Sequence, residues 1–443
     1  MATESSIMDS NSFKEEYASM LSPKTREMIS KREKYLGGAY RLFYRKPLNI
    51  VRGEGDYLWD DEGNKYLDMY NNVAGVGHCN PAVVNAVTEQ MKTLNTHTRY
   101  LHEELLALMP DEINKIMYMC TGSEANDLAL RVAEAYTGGT GIIITQEAYH
   151  GTSALTSGCS PSLGAGQPLL PNVRLITAPD YYRHGGTPEE FTAWYASEMQ
   201  KTIDELNEAG YKFSCFLADS IFSSDGIYPD PVGFLKATVD VVHKNGGVFI
   251  ADEVQPGFAR TGQAFFGFAR HGIVPDMITM GKPMGNGIPI SGLAAKEDVL
   301  AAFSDKLPYF NTFGGNPVSI AAAQAVLKYI KDENLQEHCK KAGAALLKAL
   351  KEVQERHPES VGDVRGAGLF LGFEFVKNDG NKTPDKDMAL NVIEMLRDEH
   401  ILTSVIGHYG NILKLRPPMV FSENDIDWFA TSLDKCITKL ENK

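Results

Sequence analysis

Residues 247–255 read Gly-Val-Phe-Ile-Ala-Asp-Glu-Val-Gln, and residues 276–287 read Asp-Met-Ile-Thr-Met-Gly-Lys-Pro-Met-Gly-Asn-Gly. Each is a short, nearly continuous apolar run that stops at a group able to do chemistry. A run of that kind, without polar alternation, fits a strand buried on both faces. Working outward, similar runs stand at 141–145, 173–176 and 213–218, and stretches with helical period fall at 122–136, 188–209, 231–245 and 263–271. Strand and helix in alternation predict an α/β fold with a large, mostly parallel sheet covered on both sides.

Upstream, a helix is expected over Thr25–Tyr35, and a β-hairpin turns around Asp61-Glu-Gly-Asn. Downstream of Asn316-Pro317, helices to about Ile330 and from Leu335 to about Gln354 precede a strand at 368–375, a helix near 386–399 and a final strand-and-helix unit. These elements predict a second, smaller α/β domain. The expected division is residues 1–75 contributing to the small domain, 76–318 forming the large domain, and 319–443 completing the small domain.

Composition narrows the function classes. With 57 acidic and 43 basic residues among 443, the formal charge is −14. Such a chain repels nucleic-acid phosphates and anionic membranes unless it carries a basic patch, and none stands out. No apolar run approaches the ~20 residues of a membrane span, and the start, MATESSIMDS, has neither the basic nor the apolar region of a secretory signal. The six cysteines (79, 120, 159, 215, 339 and 436) are scattered, and the histidines form no HxxxH or HExxH pair. We therefore expect a cytoplasmic protein with no metal, no nucleic acid and no membrane partner.

The chemistry collects just beyond the strand ends. Tyr149 and His150 follow the 141–145 run, Asp219 follows 213–218, Asp252, Val254 and Gln255 follow 247–251, and Lys282 follows 276–280. In open α/β sheets the carboxyl ends of strands converge on the ligand crevice. A lysine among glycine, proline and methionine is poorly hydrated and so more nucleophilic, although a surface lysine in a glycine-rich loop reads the same way. Asp252 could pair with a protonated pyridine nitrogen or merely cap its turn. Thr121-Gly-Ser-Glu has capping-box spacing, and Gly122 and Ser123 at that helix start suit a phosphate as well as a plain cap. Tyr149 could stack on a flat cofactor or pack in the core.

Taken together, Thr-Gly-Ser-Glu-Ala-Asn at 121–126, Tyr-His-Gly at 149–151, Ala-Asp-Glu-Val-Gln at 251–255, Gly-Lys-Pro-Met-Gly-Asn-Gly at 281–287 and Asn-Thr-Phe-Gly-Gly-Asn-Pro at 311–317 resemble the class III, fold type I pyridoxal-phosphate-dependent aminotransferases. The resemblance runs from about Leu48 to Phe421. It implies that Lys282 carries the cofactor covalently and shuttles the substrate proton. It further implies that Asp252 meets the ring nitrogen, Val254 and Tyr149 cover the ring faces, Gln255 lies near the ring hydroxyl, and Gly122 and Ser123 hold the phosphate. His150 neighbours the site. The threonine matching Thr312 reaches the phosphate from a partner subunit, so a homodimer is implied, which could pair further into a tetramer. Where the family pattern has glutamate before proline, this chain reads Ala218-Asp219-Ser220-Ile221, so the resemblance puts a shorter carboxylate, Asp219, near the ring hydroxyl.

Further stretches, among them Asn71-Asn-Val-Ala-Gly-Val-Gly-His and Lys414-Leu-Arg-Pro-Pro-Met, are similar to the branch that holds alanine–glyoxylate aminotransferase 2, the ethanolamine-phosphate phospholyases and bacterial ω-transaminases. The implied function is ping-pong transfer of an amino group from an amine or ω-amino acid to a keto acid of the pyruvate or glyoxylate type. Elimination of phosphate from a phosphorylated amino alcohol is the alternative, and a non-catalytic dimeric scaffold is a second one. Lys414 and Arg416, two apart on one strand face, are candidates for an anionic substrate group unless they form an exposed pair. Val73 is a candidate for the pocket lining, and Arg99 a weaker candidate for the anion.

Overall fold

A computed structural model describes residues 9–36, 39–96 and 103–442. The N-terminal helix Pro23–Leu36 precedes strands β1 (Ile50–Glu54), β2 (Tyr57–Asp60) and β3 (Lys65–Asp68), with β2 and β3 forming the expected hairpin. The seven strands that follow are β4 (Ile113–Met119), β5 (Gly141–Thr145), β6 (Val173–Ile176), β7 (Phe213–Ala218), β8 (Val248–Asp252), β9 (Met277–Met280) and β10 (Ser291–Lys296). They build one sheet in the order β4-β10-β9-β8-β7-β5-β6. Every pairing in it is parallel except those of β10, which runs antiparallel to both of its neighbours.

The sheet is buried on both faces, and the two-residue period of a strand explains how. Ile143, Phe216, Phe249 and Ile278 belong to one apolar cluster, while Ile142, Cys215, Ile250 and Met277 belong to another. Helix Gly122–Thr137 presses Ala125, Leu128, Ala129 and Val132 onto the second face and ends at Gly138, whose φ of +63° is the left-handed conformation that glycine adopts freely.

The last strands are β11 (Val361–Ala367), β12 (Phe370–Phe375), β13 (Ile401–Leu402), β14 (Ser404–Ile406) and β15 (Ile412–Leu415). β11, β12, β15 and β14 form an antiparallel sheet, whereas β13 pairs in parallel with β3, joining the two ends of the chain. No described helix is long and apolar enough to cross a membrane.

Two features depart from expectation. The helix expected over 263–271 is only a short 3₁₀ turn at Gly267–His271. The Glu253 carboxylate accepts the N–H groups of Gly267 and Phe268 at 2.7 and 2.9 Å, which fixes the backbone through a side chain instead of a helical ladder. β10, with the sequence Ser-Gly-Leu-Ala-Ala-Lys, has little intrinsic strand preference and is a strand because partners flank it on both sides.

Candidate active site

Register brings the strand ends into line. Ala218 of β7 pairs with Ala251 of β8, and Asp252 with Thr279 of β9, so Asp219, Asp252 and the Gly281-Lys282 step share one rim of the sheet. A cavity of about 190 Å³ opens there, lined by Gly122, Ser123, Tyr149, His150, Asp219, Asp252, Val254, Gln255 and Lys282. Asn126 and Gly151 complete the lining.

One wall is closely bonded. Asp252 Oδ2 accepts from His150 Nδ1 at 2.7 Å and from the Asn126 amide at 2.9 Å, while Oδ1 accepts the Val254 N–H at 3.1 Å. Burial alone would raise the Asp252 carboxyl. The hydrogen bond and charge of His150, the Asn126 amide and the charge of Lys282 outweigh it, and the group stays below the usual carboxylate range. Asn126 also donates to the His150 carbonyl and accepts from Thr279 Oγ1 at 2.7 Å. Sequence reasoning missed Asn126, although an asparagine on the apolar face that carries Ala125, Leu128 and Ala129 was a usable signal.

At the mouth of helix Gly122–Thr137 the capping box is complete. Thr121 Oγ1 accepts the Glu124 N–H, and Glu124 Oε2 accepts the Thr121 N–H at 2.9 Å. That leaves the amides of Gly122 and Ser123 at the open end of the helix dipole. Gly151 closes against this end with φ +137°, and a Cβ there would lie 2.4 Å from Ser123 Oγ and 2.8 Å from Ser123 Cα. A Cβ on Gly122 would likewise come within 3.2 Å of the Val254 methyls. Small residues are required on both sides of this lip.

Three basic side chains gather here: Lys282 lines the cavity, whereas Lys414 and Arg416 lie outside its lining, Arg416 bonded to the lining Gln255. Lys282 Nζ lies 5.9 Å from the Tyr149 ring centroid. Desolvation and then the charge of Arg416 pull its amine down to about 8, against the opposing charges of Asp252 and Asp219. Lys414 and Arg416 are buried, at 4 % and 7 % exposure, which rules out an exposed pair. The Arg416 guanidinium donates to the Gln255 side-chain carbonyl and to Asn72 Oδ1 at 3.3 Å, and it stacks 4.5 Å from the Tyr70 ring centroid. Lys414 Nζ lies 5.7 Å from the Phe370 ring centroid. Its amine is held well below the usual range by burial and by the charges of Arg416 and Lys282, against the opposing charges of Asp219 and Asp225. Among the described residues neither Lys414 nor Arg416 has a carboxylate within ion-pair distance.

Asp219 lines the cavity, but its oxygens accept the Ile221 and Ser223 N–H groups of its own turn, at 2.9 and 3.1 Å. Burial lifts its carboxyl against those bonds. Val73 sits half-buried in the loop whose Asn72 donates to the Gln255 backbone carbonyl at 3.2 Å, beside the cavity and outside its lining. Thr312 is exposed and does not line the cavity of the single chain. Arg99 lies outside the described residues.

Residues 43–437 match the family model described as aminotransferase class-III. The chain is 38 % identical over 430 residues to an alanine–glyoxylate aminotransferase 2-like protein of Drosophila melanogaster, covering 93 % of this chain and 87 % of that one. It is 35 % identical to ethanolamine-phosphate phospho-lyase homolog 1 of Caenorhabditis elegans, covering 93 % of each. Among solved structures, an Arthrobacter phospholyase in complex with phosphoethanolamine superposes with a TM-score of 0.88 at 37 % identity, covering 93 % of this chain and 99 % of that one.

Proposed function

The chain belongs to the class-III aminotransferase family, and on that premise we propose that it moves the amino group of an amine or ω-amino acid with an anionic tail to a keto acid of the pyruvate or glyoxylate type. It is a pyridoxal-phosphate-dependent enzyme of fold type I. The cavity suits that cofactor on three counts: open amides at a helix start for a phosphate, an ionised carboxylate for a ring nitrogen, and an amine whose charge is lowered for attack on an aldehyde. The meeting of Asp252 and Lys282 in one cavity carries the reading.

Pyridoxal phosphate, when bound, supplies the aldehyde and the ring that takes up an electron pair. Every other task falls to the chain. Lys282 holds the cofactor and moves a proton at the substrate carbon, which its lowered amine suits. Asp252, steadied by His150 and Asn126, keeps a proton on the ring nitrogen. Gly122 and Ser123 bind the phosphate, Tyr149 and Val254 cover the ring faces, and Gln255 and Asp219 flank the ring hydroxyl. Lys414 and Arg416 receive the anionic tail, with Val73 bordering the substrate. Thr312 serves the site of a second copy in a homodimer, in keeping with its exposure between the exposed rings of Phe310 and Phe313.

The parallel pairing of β13 with β3 supports grouping residues 1–75 with 319–443 in one small domain beside the large domain 76–318. Six unpaired thiols favour a reducing compartment, and we assign the enzyme to the cytoplasm.

A second reading, elimination of phosphate from a phosphorylated amino alcohol, is favoured by the two buried cations without carboxylate partners, which match a dianion better than a carboxylate. The holoenzyme is mixed with β-alanine, γ-aminobutyrate, simple amines or phosphoethanolamine in the absence of a keto acid. Transamination predicts stoichiometric loss of the cofactor's aldehyde absorbance. Elimination predicts catalytic release of phosphate and ammonia with that absorbance retained. Failure of every donor in both assays refutes the proposal.

A further inference from the structure

Arg260 is 1 % exposed, and among the described residues it has no carboxylate within ion-pair distance. One guanidinium nitrogen donates to two backbone carbonyls, Pro417 O at 2.6 Å and Leu369 O at 3.1 Å. The Arg260 carbonyl accepts the Leu369 N–H at 3.1 Å in return. Its other terminal nitrogen has no partner among the described residues. Phe258 and Ala259, just before it, hold φ values of +62° and +66°, a left-handed conformation costly for non-glycine residues. A strained backbone thus delivers a buried charge that burial itself pulls down to about 10. A hydrophobic residue at 260 would avoid the cost of the buried charge.

What the side chain holds explains the expense. In the segment Arg416-Pro417-Pro418-Met419 the two prolines have no N–H to donate. Arg416 N–H bonds to Met69 O and Met419 N–H to Gly75 O, both at 2.8 Å, so the ends are fastened to the loop beside the cavity. Between those ends, the Arg260 guanidinium on the Pro417 carbonyl is the described side-chain anchor. Immediately before Pro417, the Arg416 guanidinium is aimed at Gln255 and Asn72.

We propose that Arg260 is a positioning residue for substrate recognition: by gripping the Pro417 carbonyl it sets the Arg416 guanidinium where the substrate's anionic tail binds. This rests on the reading of Arg416 as part of the tail site. Arg260 lies on the loop that begins at Glu253, so it also ties the segment carrying Val254 and Gln255 to the tip between β11 and β12 through Leu369.

The test compares holoenzymes carrying Arg260→Lys, Arg260→Gln and Arg416→Lys with the unaltered protein, using whichever of β-alanine and phosphoethanolamine turns over. Losing a charge-assisted anchor should raise KM for that donor about tenfold with kcat held within about twofold, Arg260→Gln exceeding Arg260→Lys. Cofactor absorbance and borohydride labelling at Lys282 should stay unchanged. A fall in kcat at constant KM, loss of cofactor, or failure of both Arg260 variants to fold would make the residue merely structural and overturn the proposal. An effect of Arg416→Lys without one from either Arg260 variant overturns this inference alone. An unchanged KM in Arg416→Lys removes the tail-site reading beneath it.

Discussion

On one wall of the cavity the Asp252 carboxylate receives three hydrogen bonds, from His150, Asn126 and the Val254 N–H, and its asparagine donor is itself fixed by Thr279. Just outside the cavity lining, Lys414 and Arg416 are buried among neutral hydrogen-bond partners and aromatic rings, with no carboxylate at ion-pair distance among the described residues. In the first region both Asp252 oxygens are already engaged, as suits a group that stays in place through every turnover. The second is left short of negative charge, which suits a group that arrives and leaves. Electrostatic incompleteness is costly in a folded protein, so a basic pair left without a close counter-ion beside the cavity points to where the exchanging ligand enters.

That contrast can be broken or sharpened by substitution. Lys282→Ala removes the amine that lines the cavity, and turnover should fall on the order of 10⁴-fold, measured by steady-state assay with the donor that works best. Asn126→Ala should hurt fold and rate together. It strips Asp252, the His150 carbonyl and Thr279 of a buried partner, which should cost about 2 kcal/mol in denaturant unfolding and lower kcat by about tenfold. Lys414→Met should do the opposite on stability. Removing a buried charge without a close counter-ion should stabilise the fold by roughly 1 kcal/mol while raising KM for an anionic donor. If Lys414→Met destabilises the protein as much as Asn126→Ala does, the two regions do not differ in electrostatic completeness.

The smallest effect concerns Asp225, beneath the same rim, which accepts from Thr145 Oγ1 at 2.7 Å and from the Glu147 N–H at 2.9 Å. Burial pushes its carboxyl up to about 7. A folded value above the unfolded one of ~3.9 means that its contribution is fully present at low pH and is lost as pH rises through about 7. Asp225→Asn should therefore melt roughly a degree or two above the unaltered protein at pH 8, the gap closing as pH falls towards 4. Thermal scans at a fixed rate across that range would check it.

The cavity lining is largely legible in the amino-acid sequence. Asp252, Lys282 and Tyr149 each sit at or just beyond the end of an apolar run, so strand periodicity and the rule for parallel sheets bring them to one rim. The basic pair outside it is not. Lys414 and Arg416 read equally well as an exposed pair, and their burial depends on Tyr70, Asn72, Gln255 and Phe370, residues far away in the chain. Asp219 is visible as a carboxylate at the right place, but only the folded turn shows that its oxygens bond to Ile221 and Ser223. β10 leaves no trace in the pattern because glycine and alanine carry almost no strand signal of their own.

By itself the sequence determined the alternation of strand and helix, the family resemblance and the order of chemical groups along one sheet edge, because those depend on periods of a few residues and on groups adjacent to strand ends. The tertiary structure alone decided which charges are compensated and which are not, and it alone revealed Arg260 under Pro417. A charge's energy depends on what surrounds it in three dimensions, and in this chain those surroundings come from segments more than a hundred residues apart.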